Sequence, residues 1–150
     1  MTQQHDTAFQ MSASNIRFGQ GVTREVGMDL LDLGVRRTLV VIDPALRVLP
    51  VGETVLASLK ENGMPHDVFD EVCVEPTDSS FQRAAEVAVA GQFDSFVAVG
   101  GGSAIDTAKA ANLYSTHPAD FLDYVNAPIG KGKPAPAPLK PLIAVPTTAG

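Results

Sequence analysis

Residues Gly100 to Asp106 read GGGSAID and follow the apolar run FVAV at Phe96 to Val99. Three glycines between a strand and a helix suit phosphate binding. They carry no Cβ to hold a ligand off, their amides can point outward, and the helix that follows presents its positive end. The plainer alternative is a tight strand-to-helix turn with Ser103 as a simple N-cap. The run departs from the usual GxGxxG dinucleotide fingerprint, because Ile105 stands where the third small residue belongs. Asp43 ends the run TLVVI and is followed by Pro44. An acid at a strand's C-terminal end can accept hydrogen bonds from a ribose and would repel a 2′-phosphate, which favours NAD over NADP. Asp120 and Asp123 lie in a non-strand segment and are poor ribose candidates. Asp106 would repel a pyrophosphate at close range. It is placed to complete a capping box with Ser103 and to pair with Lys109, which could instead reach a phosphate.

Other chemistries find less support. His5, His66 and His117 are dispersed, with no HxxxH spacing, so no metal site is expected within this chain. There is no GxSxG, and Cys73 between Val72 and Val74 reads as a buried strand residue rather than a nucleophile. No catalytic residue is assigned. A net charge of -6 in 150 residues argues against a nucleic-acid partner, and Lys131, Lys133 and Lys140 read as a solvated loop. One cysteine permits no internal disulfide and suits a reducing compartment. With no signal-like or Arg-rich character in MTQQHDTAFQ, the expected location is the cytoplasm. The apolar runs are strand-sized, well short of the ~20 residues of a membrane helix.

The elements that must position these residues alternate. Residues 1–12 read as a flexible leader, and residues 13–150 as one dinucleotide-binding domain, incomplete at its C-terminal end. A first strand is expected at Ile16 to Phe18, then a helix from Val22 to Gly34, whose apolar residues recur at helical spacing. Strands are predicted at Thr38 to Ile42, His66 to Val74, Phe96 to Val99 and Leu142 to Val145. Helices are predicted at Glu53 to Asn62, from caps at Asp78 and Ser79 through Gln92, from Ser103 to about Tyr114, and briefly around Phe121 to Val125. The Pro-rich stretch from Ser115 to Pro141 is an excursion ordered by packing. The pattern predicts an α/β fold, Rossmann-like, with a mostly parallel sheet and helices on both faces. Its ligand crevice lies beyond the strands' carboxyl ends, where Asp43, the glycines and the Thr147-Thr148 pair fall.

Taken together, FVAVGGGSAIDTAKAANLY, EPTDSS at Glu75 to Ser80, the strand-ending Asp43 and LIAVPTTAG resemble the nucleotide-binding domain of iron-containing (group III) alcohol dehydrogenases. The resemblance runs from SNIRFG to the last residue. SNIRFG, EPTDSS and FLDYVNAPIGKGKP are particularly similar to the hydroxyacid-oxoacid transhydrogenase branch. It implies the N-terminal domain of a dehydroquinate synthase-like fold. It further implies that Gly101, Gly102 and Ser103 meet the pyrophosphate, Asp43 the ribose, Pro76 and Thr77 the adenine side, and Thr147 and Thr148 the cofactor's inner face. Asp106 stands at the motif's acid position, in a binding or a structural role. The resemblance also implies NAD as cofactor and an iron or zinc ion held by one Asp and three His in a helical second domain beyond this chain. The parent would then be a homo-oligomer acting on a small alcohol or hydroxyacid, with this chain inactive alone. A plain NAD-linked primary-alcohol or lactaldehyde dehydrogenase is the alternative enzyme, and a noncatalytic nucleotide-binding fragment the alternative of another class.

Overall fold

A computed structural model describes residues 14–148. The leader expected at 1–12 and the last two residues of the PTTAG turn lie outside the described residues. Four strands, β1 (Thr38–Ile42), β2 (His66–Phe69), β3 (Ser95–Gly100) and β4 (Leu142–Pro146), form one parallel sheet in the order β2-β1-β3-β4. Five helices accompany them: α1 (Val26–Asp32), α2 (Pro50–Glu61), α3 (Asp78–Gly91), α4 (Gly102–Thr116) and the short α5 (Phe121–Tyr124).

The β-branched runs form the central strands because both of their faces are covered. Every residue of β1 and β3 is buried. Alternate side chains feed two cores. Val40, Ile42, Val97 and Val99 meet Val26 and Leu30 of α1 and Val55 and Leu59 of α2. Leu39, Val41, Phe96 and Ala98 meet Ala84 and Ala88 of α3 and Ala104, Ala108 and Ala111 of α4. Each fully buried Val or Leu contributes about 1.5–3 kcal/mol, so these two layers hold β1 and β3, and therefore the loops at their ends, rigidly. The helices-on-both-faces expectation stands.

Several boundaries differ from the sequence expectations. Ile16 to Phe18 is not a strand: both apolar side chains are exposed, and no described strand runs beside them. Residues 22–25 form a 3-10 turn before α1. β2 stops at Phe69 rather than Val74, because β1, its one partner among the described residues, ends at Ile42 and Asp43-Pro44 then turns away. Cys73 is consequently exposed in an irregular segment rather than buried in a strand. The cap of α3 is Thr77, not Asp78 or Ser79: its Oγ1 accepts from the Ser80 amide at 3.2 Å while Ser80 Oγ accepts from the Thr77 amide at 2.9 Å.

The Pro-rich excursion is ordered by specific contacts. Tyr114 Oη donates to the Phe121 carbonyl at 2.6 Å, and Tyr124 Oη to the His117 carbonyl at 3.0 Å. Lys131 and Lys133 are not merely solvated. Their ammonium groups lie 2.7 and 3.0 Å from the two oxygens of Asp123, which is nearly buried. The chain then re-enters the sheet through Asn112 on α4, whose side chain bonds both the carbonyl and the amide of Lys140 at 2.8 and 3.2 Å.

Candidate nucleotide site at the strand ends

The connection after β1 leads to β2 on one side and the connection after β3 to β4 on the other. Such a switch point opens a crevice beyond the carboxyl ends of two adjacent strands. Main-chain bonds carry the sheet's register into it. The Asp43 amide donates to the Val99 carbonyl and the Thr147 amide to the Gly100 carbonyl, each at 3.1 Å. Asp43, Gly100 to Gly102, and Thr147 with Thr148 therefore stand side by side, as the sequence motifs predicted.

The three glycines differ in what surrounds them. Gly100 has φ +149°, and a Cβ there would lie 2.7 Å from the Ala104 methyl and 3.4 Å from Asp43 Cβ. Its glycine is required by backbone conformation and by the packing of α4 onto β3. Gly101 is the N-cap of α4, and a Cβ on it would meet the Thr148 side chain at 3.3 Å. Gly102 opens the helix, and a Cβ there would have nothing within 4 Å. The first intrahelical bond is made by the Ile105 amide to the Gly101 carbonyl at 3.2 Å. The amides of Gly102, Ser103 and Ala104 precede it, no side chain caps the helix, and the positive end of a 15-residue helix faces the open side of Gly102. This arrangement could cradle an anion, with room at one residue.

Asp43 is half-buried, and its Oδ1 accepts from the Ala45 amide at 2.9 Å, which fixes the carboxylate. Oδ2 is free of a protein donor among the described residues and can accept from a hydroxyl. The strand that ends at this acceptor runs beside the one that ends at the glycines, and neighbouring strands lie about 4.8 Å apart.

The remaining expected residues are placed less directly. Ser103 is not the N-cap; it is the second residue of α4, and its hydroxyl donates to the Val74 carbonyl. Asp106 is too deep in the first turns to complete a capping box. It faces solvent, 3.6 Å from Lys109, and does not join the cradle. Pro76 is half-buried, whereas Thr77 is exposed with its hydroxyl committed to capping α3. Val74 was missed, since a carbonyl 29 residues away leaves no local signal. An open, mostly apolar groove lined by residues including Val89, Tyr114 and Phe121 lies about 18 Å along α4 from the cradle. Among the described residues, no group of three or more His, Cys, Asp or Glu could hold a metal ion, and no helix is long and apolar enough to cross a membrane.

Comparison with known proteins agrees with this geometry. Residues 13–150 match the family model described as iron-containing alcohol dehydrogenase. The chain is 61% identical over 146 residues to a mitochondrial hydroxyacid-oxoacid transhydrogenase of Bos taurus, covering 97% of this chain and 31% of that protein. Among solved structures, an alcohol dehydrogenase from Oenococcus oeni is 33% identical with a TM-score of 0.76, covering 89% of this chain and 34% of that one. A sulfoacetaldehyde reductase from Bifidobacterium kashiwanohense, solved in complex with NAD+, is 28% identical with a TM-score of 0.78, covering 89% and 34%. The chain thus spans about a third of the length of the curated relatives it matches. Those relatives are named as mitochondrial, which overturns the cytoplasmic expectation. A single cysteine reports on a reducing milieu and does not select among compartments that share one. By the extent of the family match and the agreement in fold, the chain belongs to the iron-containing alcohol dehydrogenase family.

Proposed function

We propose that this chain is the NAD-binding part of a metal-dependent oxidoreductase of the hydroxyacid-oxoacid transhydrogenase type. The observation that carries the cofactor reading is the uncapped start of α4, open at Gly102 and one strand away from the fixed carboxylate of Asp43. In this reading the amides of Gly102, Ser103 and Ala104 donate to the diphosphate. Asp43 Oδ2 accepts from the adenosine ribose, and its charge disfavours a 2′-phosphate. Thr147 and Thr148 line the inner face, with Thr148 beside the N-cap Gly101, where an added Cβ would meet it at 3.3 Å. Pro76 and Thr77 border the adenine side. When bound, NAD would supply the hydride acceptor for one half-reaction and the donor for the other.

The transhydrogenase class is supported by the 61% identity to the bovine transhydrogenase, against 33% for the alcohol dehydrogenase from Oenococcus oeni, and the substrate pair is part of the proposal. Oxidation of 4-hydroxybutyrate to succinic semialdehyde would be coupled to reduction of 2-oxoglutarate to 2-hydroxyglutarate on a retained cofactor. The iron-type ion that the family resemblance implies, and the polarisation of the substrate oxygen it would provide, are assigned in this proposal to the part of such a protein that this chain, about a third of its relatives' length, does not span.

Calorimetric titration of NAD and NADP into the chain, with circular dichroism confirming folding, tests the cofactor reading. Saturable binding that prefers NAD is expected; a folded chain that binds neither, or NADP as well as NAD, refutes the site as drawn. The transhydrogenase reading is tested on the full-length protein, supplied with 4-hydroxybutyrate and 2-oxoglutarate. Turnover without added NAD is expected, whereas strict dependence on added NAD identifies a plain dehydrogenase.

A further inference from the structure

The hydroxyl of Ser103 is engaged far from its own helix. It donates to the carbonyl of Val74, 29 residues earlier, in the irregular segment 70–77 that leaves β2. That segment is tied down firmly at both ends. Asp70 pairs with Arg47, Glu71 pairs with Arg83, and Val72 is buried in the core; at the far side Thr77 and Ser80 lock the start of α3. Between these anchors Val74 is 81% exposed, and its side chain is not part of the core. Among the described residues, the bond from Ser103 is the single hydrogen bond joining residues 73–76 to another element.

A serine hydroxyl has one proton to donate. While it serves the Val74 carbonyl it cannot also serve a phosphate oxygen, which only accepts. We infer that Ser103 is a positioning residue whose hydroxyl latches segment 73–76 against the start of α4 and so builds the wall that receives the adenosine end of a dinucleotide. The diphosphate is then left to the main-chain amides alone. The sheet order β2-β1-β3 supplies the geometry: the cradle follows β3, the ribose acceptor Asp43 follows β1, and the next position along the ligand lies over the end of β2, where this segment begins. The latch draws the segment back across that end.

This inference rests on the dinucleotide reading above, and its test separates the two. Inorganic pyrophosphate, ADP and NAD are titrated calorimetrically into the wild-type chain, Ser103→Ala and Ser103→Thr, each shown to be folded by circular dichroism. In Ser103→Ala the affinities for ADP and NAD are expected to fall about three- to tenfold, the worth of one hydrogen bond, with pyrophosphate unchanged. Ser103→Thr, which keeps a hydroxyl on the same Cβ, is expected to retain ADP affinity. Equal loss of pyrophosphate and ADP would mean that the hydroxyl touches phosphate directly, and no loss of either would mean that the latch is idle; both overturn the inference. Amide hydrogen exchange supplies a readout without ligand. The amides of Cys73, Val74 and Glu75 should exchange faster in Ser103→Ala, and unchanged rates overturn the latch. A wild-type chain that binds none of the three ligands defeats the dinucleotide reading, while the exchange rates still decide whether the latch exists.

Discussion

Replacing Gly102 by alanine should make the chain more stable and its cofactor site worse. The added Cβ meets no atom within 4 Å, and Gly102 is the first residue of α4. Alanine there gains about 0.5–1 kcal/mol, partly by restricting the unfolded chain. For a chain of this size that corresponds to a rise in Tm of about 1–4 °C. The same methyl occupies the space through which a diphosphate oxygen must approach to about 2.9 Å from the helix amides. Loss of one charge-assisted bond of that kind costs about 1.5–3 kcal/mol, or roughly ten- to a hundredfold in affinity. The comparison that isolates the effect is Gly100→Ala. There the methyl meets Ala104 at 2.7 Å on a backbone with φ +149°, and the expected result is a destabilisation of about 2–4 kcal/mol. Thermal unfolding and calorimetric titration of NAD on the two variants provide the readouts. Wild-type NAD affinity in Gly102→Ala, or a Tm lowered by several degrees, would refute the assignment of Gly102 as the residue facing the ligand.

Asp43→Asn keeps the acceptor but removes the charge, so NADP affinity should rise at least tenfold relative to NAD, as read by competitive titration. Asn112→Leu strips the Lys140 main chain and the Thr116 hydroxyl of their partner inside the core, which should cost about 2–3 kcal/mol in urea unfolding. The carboxyl of Asp123 lies below the usual carboxylate range, because Lys131 and Lys133 donate to it. A depressed folded pKa means that its stabilising contribution is present above the ordinary Asp value near ~4 and is lost as pH falls through the lower folded value. Acid should therefore loosen residues 120–133 at a pH below that of a free aspartate, and Asp123→Asn should abolish this step when amide exchange in the segment is followed against pH.

What could be read along the chain was what depends on near neighbours. The runs TLVVI and FVAV become strands because such residues suit a doubly covered sheet, LIAV adds a partly exposed edge strand beside them, and GGGSAID marks a helix start that tolerates close approach. What could not be read depends on partners far away in sequence. The end of β2 is set by where β1 turns off at Asp43-Pro44, not by the alternation of its own residues. The cap of α4 shifts from Ser103 to Gly101, and the serine becomes free to reach Val74. Lys131 and Lys133 look like ordinary surface charges until α5 folds Asp123 beneath them.

If the proposed dinucleotide reading holds, the order of the strands also bears on which end of the crevice could do chemistry. With Asp43 after β1 taking a ribose and the cradle after β3 taking the diphosphate, the other nucleoside of a dinucleotide must extend toward β4, over Thr147 and Thr148. The nearest titratable pair along α4, Asp106 and Lys109, faces solvent and is occupied with itself. The Asp123 carboxylate is likewise engaged at both oxygens by its two lysines. A hydride donor placed beyond β4 would thus meet threonine hydroxyls and main chain from these residues, but no acid, base or metal ligand set among those described. On the proposed reading, the dinucleotide is held at its adenosine side by these residues, and its reactive end is left to others. Isolated, the chain should therefore bind nucleotide without turning over an alcohol, and measurable oxidation of 4-hydroxybutyrate by these 150 residues with NAD would show that the division of labour is drawn in the wrong place.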